Sequence, residues 1–366
     1  MKLTPALEKR YTADTLSARE AQRLAELVAF GPVVFQAARL LRQWGLLALM
    51  RESDDGLTVE EMARKSSRSP YAVRVLCEAG LTAGMLLIHA DTERYRLSKA
   101  GWFLLTDELT GVNMDFNHDV NYQGLFYLDQ ALSEGRPAGL QVFGQWPTIY
   151  EGLSELPPSA RRSWFAFDHF YSDHAFDQAL PIVFARPTRH LMDIGGNTGR
   201  WARRCVAYDT DVHVTVVDLP QQLDMLRRQT QNTPGGERIG GHAANMLDEA
   251  AALPATPAPD AIWMSQFLDC FAPEEIVRIL SKAAQVMTAD SRLYIMETLW
   301  DRQKYEPAAM CLTQISLYFS AMANGNSKMY TTDQMTACID KAGLQVEQLH
   351  DNLGHGHTII VCRKDS

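Results

Sequence analysis

The sequence predicts an α/β protein of two parts: a helical N-terminal domain and a C-terminal domain built on a doubly wound parallel sheet. Three observations lead to this fold class. Before residue 185 apolar residues recur at helical spacing, whereas after it β-branched runs alternate with helical ones. A glycine-rich loop, residues 195–199, follows the first such run. The length of 366 residues suits one large domain plus a smaller one.

Composition and charge limit the classes of function. Apolar residues make up 46% and charged residues 22% of the chain, which is ordinary for a globular protein and argues against disorder. The net charge of −9 disfavours nucleic-acid binding, which depends on neutralising phosphates. Apolar runs fall short of the roughly 20 residues that cross a membrane, and no secretory signal is visible. The six cysteines are scattered, which disfavours a metal site and predicts reduced thiols in a cytoplasmic protein.

The first predicted element is a long helix over residues 21–50. Its apolar residues fall on more than one helical face, which is typical of a buried helix. Near the start of a chain, the surface that buries such a helix is often a second subunit. We therefore expect this helix to take part in a dimer contact.

The next elements predict a winged helix. A capping box of Thr58 and Glu61 begins one helix, and Ser69–Pro70 begins a second. Two strand-like runs, 85–88 and 95–97, then flank a polar tip. Because the second helix carries few basic residues, dimerisation is favoured over DNA binding. This domain is predicted to span residues 1–108.

Residues 109–185 are predicted to form a helical bridge rich in aromatic residues, followed by the sheet domain over 186–366. Most of the aromatic residues fit a core, but the polar cluster from Asp168 to His174 is dense for a core helix. The bridge therefore supplies candidate residues for an acceptor pocket. These candidates are Phe116, Tyr122, His169, Tyr171 and His174.

The C-terminal part reads as strand, glycine loop and helix, then further strands. A short strand over 190–194 runs into the glycine loop, and the next strand ends at Asp218. Two more strands are predicted at 261–264 and 292–296. A final pair, 345–349 with 357–362, is joined by a short loop and is expected to be antiparallel at one edge.

The residues of the glycine loop disfavour a dinucleotide site. The fingerprint G-x-G-x-x-G would need glycine where Asn197 and Arg200 stand. Asp193, two residues before the first glycine, would repel a pyrophosphate but suits a ligand with a cationic amino-acid end, such as S-adenosylmethionine. Asp218 can accept hydrogen bonds from a ribose diol.

Over residues 20–362 the chain resembles the class I S-adenosylmethionine-dependent methyltransferases of the plant caffeic-acid type and their bacterial relatives. The wing segment and the segments 193–199, 216–220 and 294–297 carry the resemblance. In that family a winged-helix dimerisation domain precedes a Rossmann-like catalytic domain. The resemblance implies S-adenosyl-L-methionine as cofactor, a small hydroxy-aromatic acceptor of secondary metabolism and a homodimer formed through the N-terminal domain.

The resemblance also implies the cofactor-binding residues, each at a position that matches the family's motifs. They are Asp193, Gly195 and Gly199 at the methionine end, Asp218 at the ribose, Leu219, Asn245 and Met246 at the adenine, and Ser265 and Gln266 close to the cofactor.

The catalytic positions depart from the family. Asp269 stands where the family's catalytic His is found, Glu297 matches the first supporting Glu, and Met329 replaces the second. An Asp can serve as base if burial raises its pKa or if the acceptor is acidic, and His169 is a further candidate. Alternatively, Asp269 caps the helix that begins at Pro273.

Three functions remain open on the sequence. Transfer to oxygen needs a base, whereas transfer to a phenolic ring carbon is driven by the phenolate and tolerates a weaker one. The third is a regulator or inactive partner that binds the cofactor without transferring its methyl group. The remaining acceptor-pocket candidates lie on or just after a second helix, and they are Met310, Phe319, Met322, Asn326 and Tyr330.

Overall fold

The computed structural model describes residues 2–365, apart from the side chain of Ser172. The chain divides into two units, of which the first comprises residues 14–118. The second comprises the residues up to 13 together with those from 119 onward. The start of the predicted bridge, as far as His118, thus belongs to the first unit, and the rest belongs to the second.

The first unit is helical apart from one hairpin. Helix α1 (Pro5–Tyr11) precedes it and belongs to the second unit. The elements of the first unit are α2 (Ala18–Ala29), α3 (Gly31–Gln43), α4 (Leu46–Arg51), α5 (Val59–Ser66), α6 (Pro70–Thr82), β1 (Leu86–His89), β2 (Arg94–Leu97), α7 (Lys99–Thr106) and α8 (Glu108–Phe116).

The apolar stretch over 21–50, predicted as one long helix, is three helices. Pro32 lies in the first turn of α3, and α2 and α3 are bent by 76° at their junction. Gly45, with a φ of +72°, separates α3 from α4. Among the described residues no single helix is long and apolar enough to cross a membrane, although the bent pair α2–α3 meets that test of length and composition together.

The predicted start signals of α5 and α6 are confirmed. The Thr58 hydroxyl accepts a hydrogen bond from Glu61 N at 3.2 Å, and the Glu61 carboxylate accepts one from Thr58 N at 2.9 Å. The Ser69 hydroxyl caps α6. Strands β1 and β2 pair antiparallel, with Leu86 opposite Leu97. The order helix, helix, hairpin is the one predicted for the wing segment.

The second unit contains the sheet and most of the helices. Its remaining elements are α9 (Leu128–Glu134), α10 (Ile149–Gly152), α11 (Pro158–Asp173), α12 (Phe176–Val183), β3 (His190–Ile194), α13 (Arg200–Tyr208), β4 (His213–Asp218), α14 (Pro220–Thr230), β5 (Ile239–Ala243), β6 (Ala261–Ser265), α15 (Pro273–Val286), β7 (Arg292–Glu297), α16 (Glu306–Tyr318), α17 (Thr332–Lys341), β8 (Leu344–Leu353) and β9 (His357–Lys364).

The seven strands form one sheet in the order β5-β4-β3-β6-β7-β9-β8. The five strands from β5 to β7 are parallel, and β9 and β8 are antiparallel at one edge, as predicted. The order reverses between β3 and β6, so the carboxyl ends of these two strands flank the crevice where ligands bind in such sheets.

Two apolar cores lie on the two faces of the sheet. Because side chains alternate along a strand, Leu191 packs in one core and Met192 in the other. Helices α12 and α13 cover the first face, and α15 and α17 cover the second. This burial on both faces holds the loops after β3 and β6 in fixed positions.

Candidate functional site

The glycine loop, residues 195–199, joins β3 to α13 at the centre of the sheet. Gly195 and Gly199 have φ values of +77° and +75°, which side chains rarely tolerate. A Cβ on Gly195 would lie 2.4 Å from the Phe267 ring, and one on Gly199 would lie 2.2 Å from Leu226 Cδ1. Glycine at these positions lets the loop pass closely beneath a ligand.

An open pocket lies beside this loop. The ends of β3 and β6 contribute Asp193, Ser265 and Gln266, and the glycine loop contributes residues 195–198. Helix α11 adds Asp168, His169 and Asp173, and α13 adds Arg200 at its first position. Four predicted cofactor residues, Asp193, Gly195, Ser265 and Gln266, therefore line one pocket.

Four buried oxygen atoms of the pocket residues have no hydrogen-bond partner. They are Asp193 Oδ2, Asn197 Oδ1, Ser265 Oγ and Gln266 Oε1. Asn197 and Gln266 also have positive φ values, +49° and +45°, which cost backbone strain. Because unpartnered buried acceptors are costly, the pocket is suited to a ligand that donates hydrogen bonds and carries positive charge.

Asp193 has an unusual acidity in this pocket. It is 2% exposed, and burial together with the charge of Asp218 raises its pKa to about 8. A cation bound beside it would favour the ionised form. The unpartnered acceptors beside Asp193 thus fit the cationic end predicted from the sequence, while the indole N–H groups of Trp201 and Trp263 are unpartnered donors of the same lining.

Asp218 links the end of β4 to the glycine loop. Its Oδ2 accepts a hydrogen bond from Asn197 N at 2.8 Å, and its Oδ1 accepts one from Leu219 N at 2.7 Å. Burial raises the pKa of Asp218. Each carboxylate oxygen has a second lone pair, so the group can also accept from a diol. Leu219 is half-buried at the start of α14.

The three predicted adenine contacts, Leu219, Asn245 and Met246, lie outside the pocket lining, as do Gly199 and Asp218. Asn245 is exposed, and its Oδ1 accepts a hydrogen bond from Leu247 N at 3.0 Å. Met246 is buried in the core that α15 and α17 cover.

The segment after β6, residues 266–271, places Asp269 in a buried turn; it is called the Asp269 loop here. Asp269 is 6% exposed within the 3₁₀ turn Leu268–Cys270. Glu297, the last residue of β7, anchors this loop, since its Oε1 accepts from Phe267 N at 3.1 Å and from Leu268 N at 2.8 Å. Glu297 therefore holds the backbone of the turn that contains Asp269.

The capping alternative for Asp269 is wrong. The N-cap of α15 is Ala272, and Glu275 Oε2 accepts from its backbone N–H at 2.8 Å. Burial raises the pKa of Asp269 to about 6. Burial and the charge of Asp269 also raise the pKa of Glu297. Asp269 is thus a stronger base than an ordinary Asp.

Helix α11 brings a further carboxyl group to the pocket. Burial and the charge of Asp269 raise the pKa of Asp168 to about 7. His169 Nδ1 lies 3.6 Å from Asp168 Oδ2, and burial lowers the pKa of His169. His169 is therefore neutral at pH 7. The sequence drew attention to this cluster but not to Asp168 as its pocket-lining acid.

Other polar groups near Asp269 carry no signal in the sequence. Tyr150 and Cys270 share a side-chain hydrogen bond, and the Cys270 thiol lies 3.5 Å from Asp269 Oδ1. Trp164 Nε1 donates to the Tyr318 hydroxyl at 2.7 Å. These residues come from four separate elements, so only the folded chain brings them together.

The predicted acceptor-pocket residues have mixed positions, and none of them except His169 lines the pocket. Tyr171, Phe319, Met322 and Tyr330 are buried, and Phe116 is buried within the first unit; Tyr122 is half-buried; His174, Met310 and Asn326 are exposed. The Tyr330 hydroxyl donates to Phe271 O at 2.6 Å, which ties it to the Asp269 loop. His174 instead contacts His355, with ring centroids 4.4 Å apart.

Comparisons with known proteins match both parts of the chain. A Dimerisation2-like domain matches residues 22–95, and an O-methyltransferase domain matches residues 169–345. O-methyltransferase 4 of Dictyostelium discoideum is 21% identical over 85% of this chain and 88% of its own. Phenazine-1-carboxylate N-methyltransferase of Pseudomonas aeruginosa is 23% identical over 64% of this chain and 66% of its own.

A solved structure shows the same fold. The S-adenosylmethionine-dependent methyltransferase SibL, in its apo form, superposes with a TM-score of 0.68. The match covers 93% of this chain and 98% of that one, at 22% identity.

Proposed function

Because this chain belongs to the S-adenosylmethionine-dependent O-methyltransferase family, we propose that it transfers a methyl group to the hydroxyl oxygen of a small hydroxy-aromatic acceptor. The observation that carries this proposal is the buried Asp269, held by Glu297 in the turn after β6. One relative is named for an aromatic acceptor, phenazine-1-carboxylate, although its name gives nitrogen and not oxygen as the atom that is methylated.

The residues around the pocket fit S-adenosyl-L-methionine. Asp193, Asn197, Ser265 and Gln266 offer acceptors to its cationic amino-acid end, and Asp218 offers its carboxylate to the ribose hydroxyls. When bound, the cofactor supplies an electrophilic methyl group on a sulfonium sulfur. The glycine loop allows the close approach, and Leu219 stands beside Asp218 to pack against the adenine.

Asp269 is proposed as the base that receives the proton of the acceptor hydroxyl. With a pKa of about 6 it is mostly ionised at pH 7, yet it holds a proton more strongly than an ordinary Asp. Glu297 acts as a positioning residue because it binds the loop backbone rather than the acceptor. Since His169 is neutral at pH 7, it is available as a weaker second acceptor of the proton.

The test follows a carbon-13 methyl label from the cofactor into acceptors present in an extract of cells that make this protein. We expect the label in an O-methyl resonance. Asp269→Asn should lower the rate more than about 100-fold, because a positioned base contributes that much. Glu274→Gln, an exposed change nearby on α15, should leave the rate unchanged.

Two results would contradict transfer to oxygen. Label on an aryl carbon would establish methylation of a phenolic ring instead. Cofactor binding by calorimetry without any transfer of label would favour the regulator or inactive-partner function.

We also propose a homodimer formed through the first unit. Helix α2 has no buried residue, although it is strongly amphipathic. On α2, α3 and their junction, Val28, Phe30 and Val33 are 71%, 58% and 63% exposed. A contiguous apolar surface of this kind marks an interaction site. The matching Dimerisation2-like domain makes a second copy of the chain its partner.

The double substitution Val28→Glu and Val33→Glu should convert the dimer to a monomer, because four charges would be buried in the symmetric interface. Light scattering after gel filtration measures the mass. Leu87→Glu, which also introduces a charge at an exposed apolar residue but on β1, serves as the control and should remain dimeric. A dimer that survives the double substitution would place the contact elsewhere.

A further inference from the structure

An ion pair stands at the wall of the pocket. Arg200, the first residue of α13, donates from Nη1 to Oδ2 of Asp173, the last residue of α11. Both residues line the pocket. Among the described residues of that lining, Arg200 is the sole Lys or Arg, whereas the acids are Asp168, Asp173 and Asp193.

The position of Arg200 leaves it able to bind a second acceptor. Its side chain is 40% exposed, and its hydrogen bond to Asp173 uses Nη1, which leaves the N–H groups of Nε and Nη2 for a second acceptor. Its charge also opposes the rise in the pKa of Asp168 and helps to lower the pKa of His169. The charge of the guanidinium is therefore felt by the side chains of α11 that line the pocket.

We propose that Arg200 binds the α-carboxylate of the cofactor's amino-acid end, while Asp173 holds the guanidinium in place and faces the α-ammonium group. This inference rests on the proposed function, since it assigns one end of that cofactor. An amino acid carries its two charges a few ångströms apart, and an Arg–Asp pair presents the opposite charges at similar spacing. The planar guanidinium fork matches a carboxylate with two hydrogen bonds.

The competing explanation is a structural one, in which the pair only fastens α11 to α13. The chain offers a matched control for it. Arg204 lies one turn further along α13 and pairs with Asp177 at 3.3 Å, and neither residue lines the pocket. If the pair of Arg200 with Asp173 is purely structural, its loss and the loss of the pair of Arg204 with Asp177 should have the same effect on ligand binding.

The experiment measures the affinity of three ligands by calorimetry: S-adenosylmethionine, S-adenosylhomocysteine and decarboxylated S-adenosylmethionine. The first two carry the carboxylate and the third lacks it. For the unaltered protein we expect the decarboxylated ligand to bind about 10- to 100-fold more weakly than S-adenosylmethionine. Arg200→Gln should lower the affinity for the first two ligands by a similar factor and change the affinity for the third by less than about threefold. Arg204→Gln should leave all three affinities unchanged.

Measurements on the unaltered protein can by themselves overturn the proposal, so the test does not require that any variant folds. Equal affinity for S-adenosylmethionine and its decarboxylated form would overturn it. So would an equal loss for all three ligands in Arg200→Gln, or no loss for any. If the unaltered protein binds none of the three, the proposed function itself fails, which is a different result from a lost preference for the carboxylate.

Discussion

At the scale of single residues, the position of Asp269 depends on a carboxylate that never needs to touch a substrate. Glu297 is 2% exposed, and one of its oxygens takes two backbone N–H groups of the Asp269 loop. Buried N–H groups need an acceptor, so this contact fixes the turn in which Asp269 lies. The proposed base, Asp269, and the residue that fixes its position, Glu297, are therefore two different side chains.

Substitutions at Glu297 can test this separation. Glu297→Ala leaves two buried N–H groups without an acceptor, and we expect the free energy of unfolding to fall by about 2–4 kcal/mol, with activity lost. Glu297→Gln keeps an acceptor oxygen, so we expect it to lose under about 1 kcal/mol and to retain measurable activity. Denaturant titration and the methyl-transfer rate measure the two effects. Equal damage by both substitutions would mean that the negative charge, and not the hydrogen bonding, is what matters.

Sequence reasoning succeeded for residues that end a strand and failed for residues that meet through space. Asp193 and Asp218 were predicted because a parallel sheet brings strand ends to one edge, whereas Glu297 was predicted from the family resemblance. Asp168 and the pair of Arg200 with Asp173 were not assigned roles. Their meeting depends on how α11 packs beside α13, which no spacing in the sequence encodes.

At the scale of elements, the unit of strand, glycine loop and helix needs glycine at position 195 for two independent reasons. Its φ is +77°, and a Cβ would lie 2.4 Å from the Phe267 ring at the start of the Asp269 loop. We expect Gly195→Ala to weaken cofactor binding more than about 10-fold and to lower stability by about 1–3 kcal/mol.

Gly240 on β5 is the matched control for Gly195. The nearest atom to a Cβ at Gly240 is 4.0 Å away, so Gly240→Ala should bind the cofactor normally. Calorimetry and thermal unfolding compare the two variants. Normal binding by Gly195→Ala would show that the loop can relax around the extra methyl group.

Two elements of the structure differ from those predicted from the sequence. The stretch 21–50 has helical periodicity throughout, yet Pro32 and Gly45 divide it, because periodicity reports burial and not continuity. Strand β5 was missed because its sequence contains Gly240–Gly241 and lacks an apolar run. It exists through its parallel pairing with β4, a tertiary contact that outweighs local propensity.

At the scale of the whole molecule, the site concentrates acids whose ionisation the fold opposes. Burial raises the pKa of Asp269 to about 6, of Asp168 to about 7 and of Asp193 to about 8. An unfolded chain would lose these protons near pH 4. Between those limits the folded protein binds more protons than the unfolded one, so the free energy of unfolding without cofactor falls as pH rises from about 5 to 8.

A bound cation reverses this tendency at Asp193. The positive charges of the cofactor favour the ionised carboxylate, so its pKa in the complex lies below 8, and binding releases a proton. Affinity should therefore rise between pH 5.5 and 7.5, by at most about tenfold per pH unit for one such group. The cofactor's own α-amino group, with a pKa of about 8, is mostly protonated over that range.

Thermal unfolding with and without S-adenosylmethionine measures this coupling. The melting temperature without cofactor should fall as pH rises, whereas the increase caused by the cofactor should grow. Asp193→Asn carries no proton to release, so its residual cofactor-induced increase should depend less on pH. An increase that stays constant from pH 5.5 to 7.5 in the unaltered protein would mean that the ionisation of Asp193 does not change when the cofactor binds.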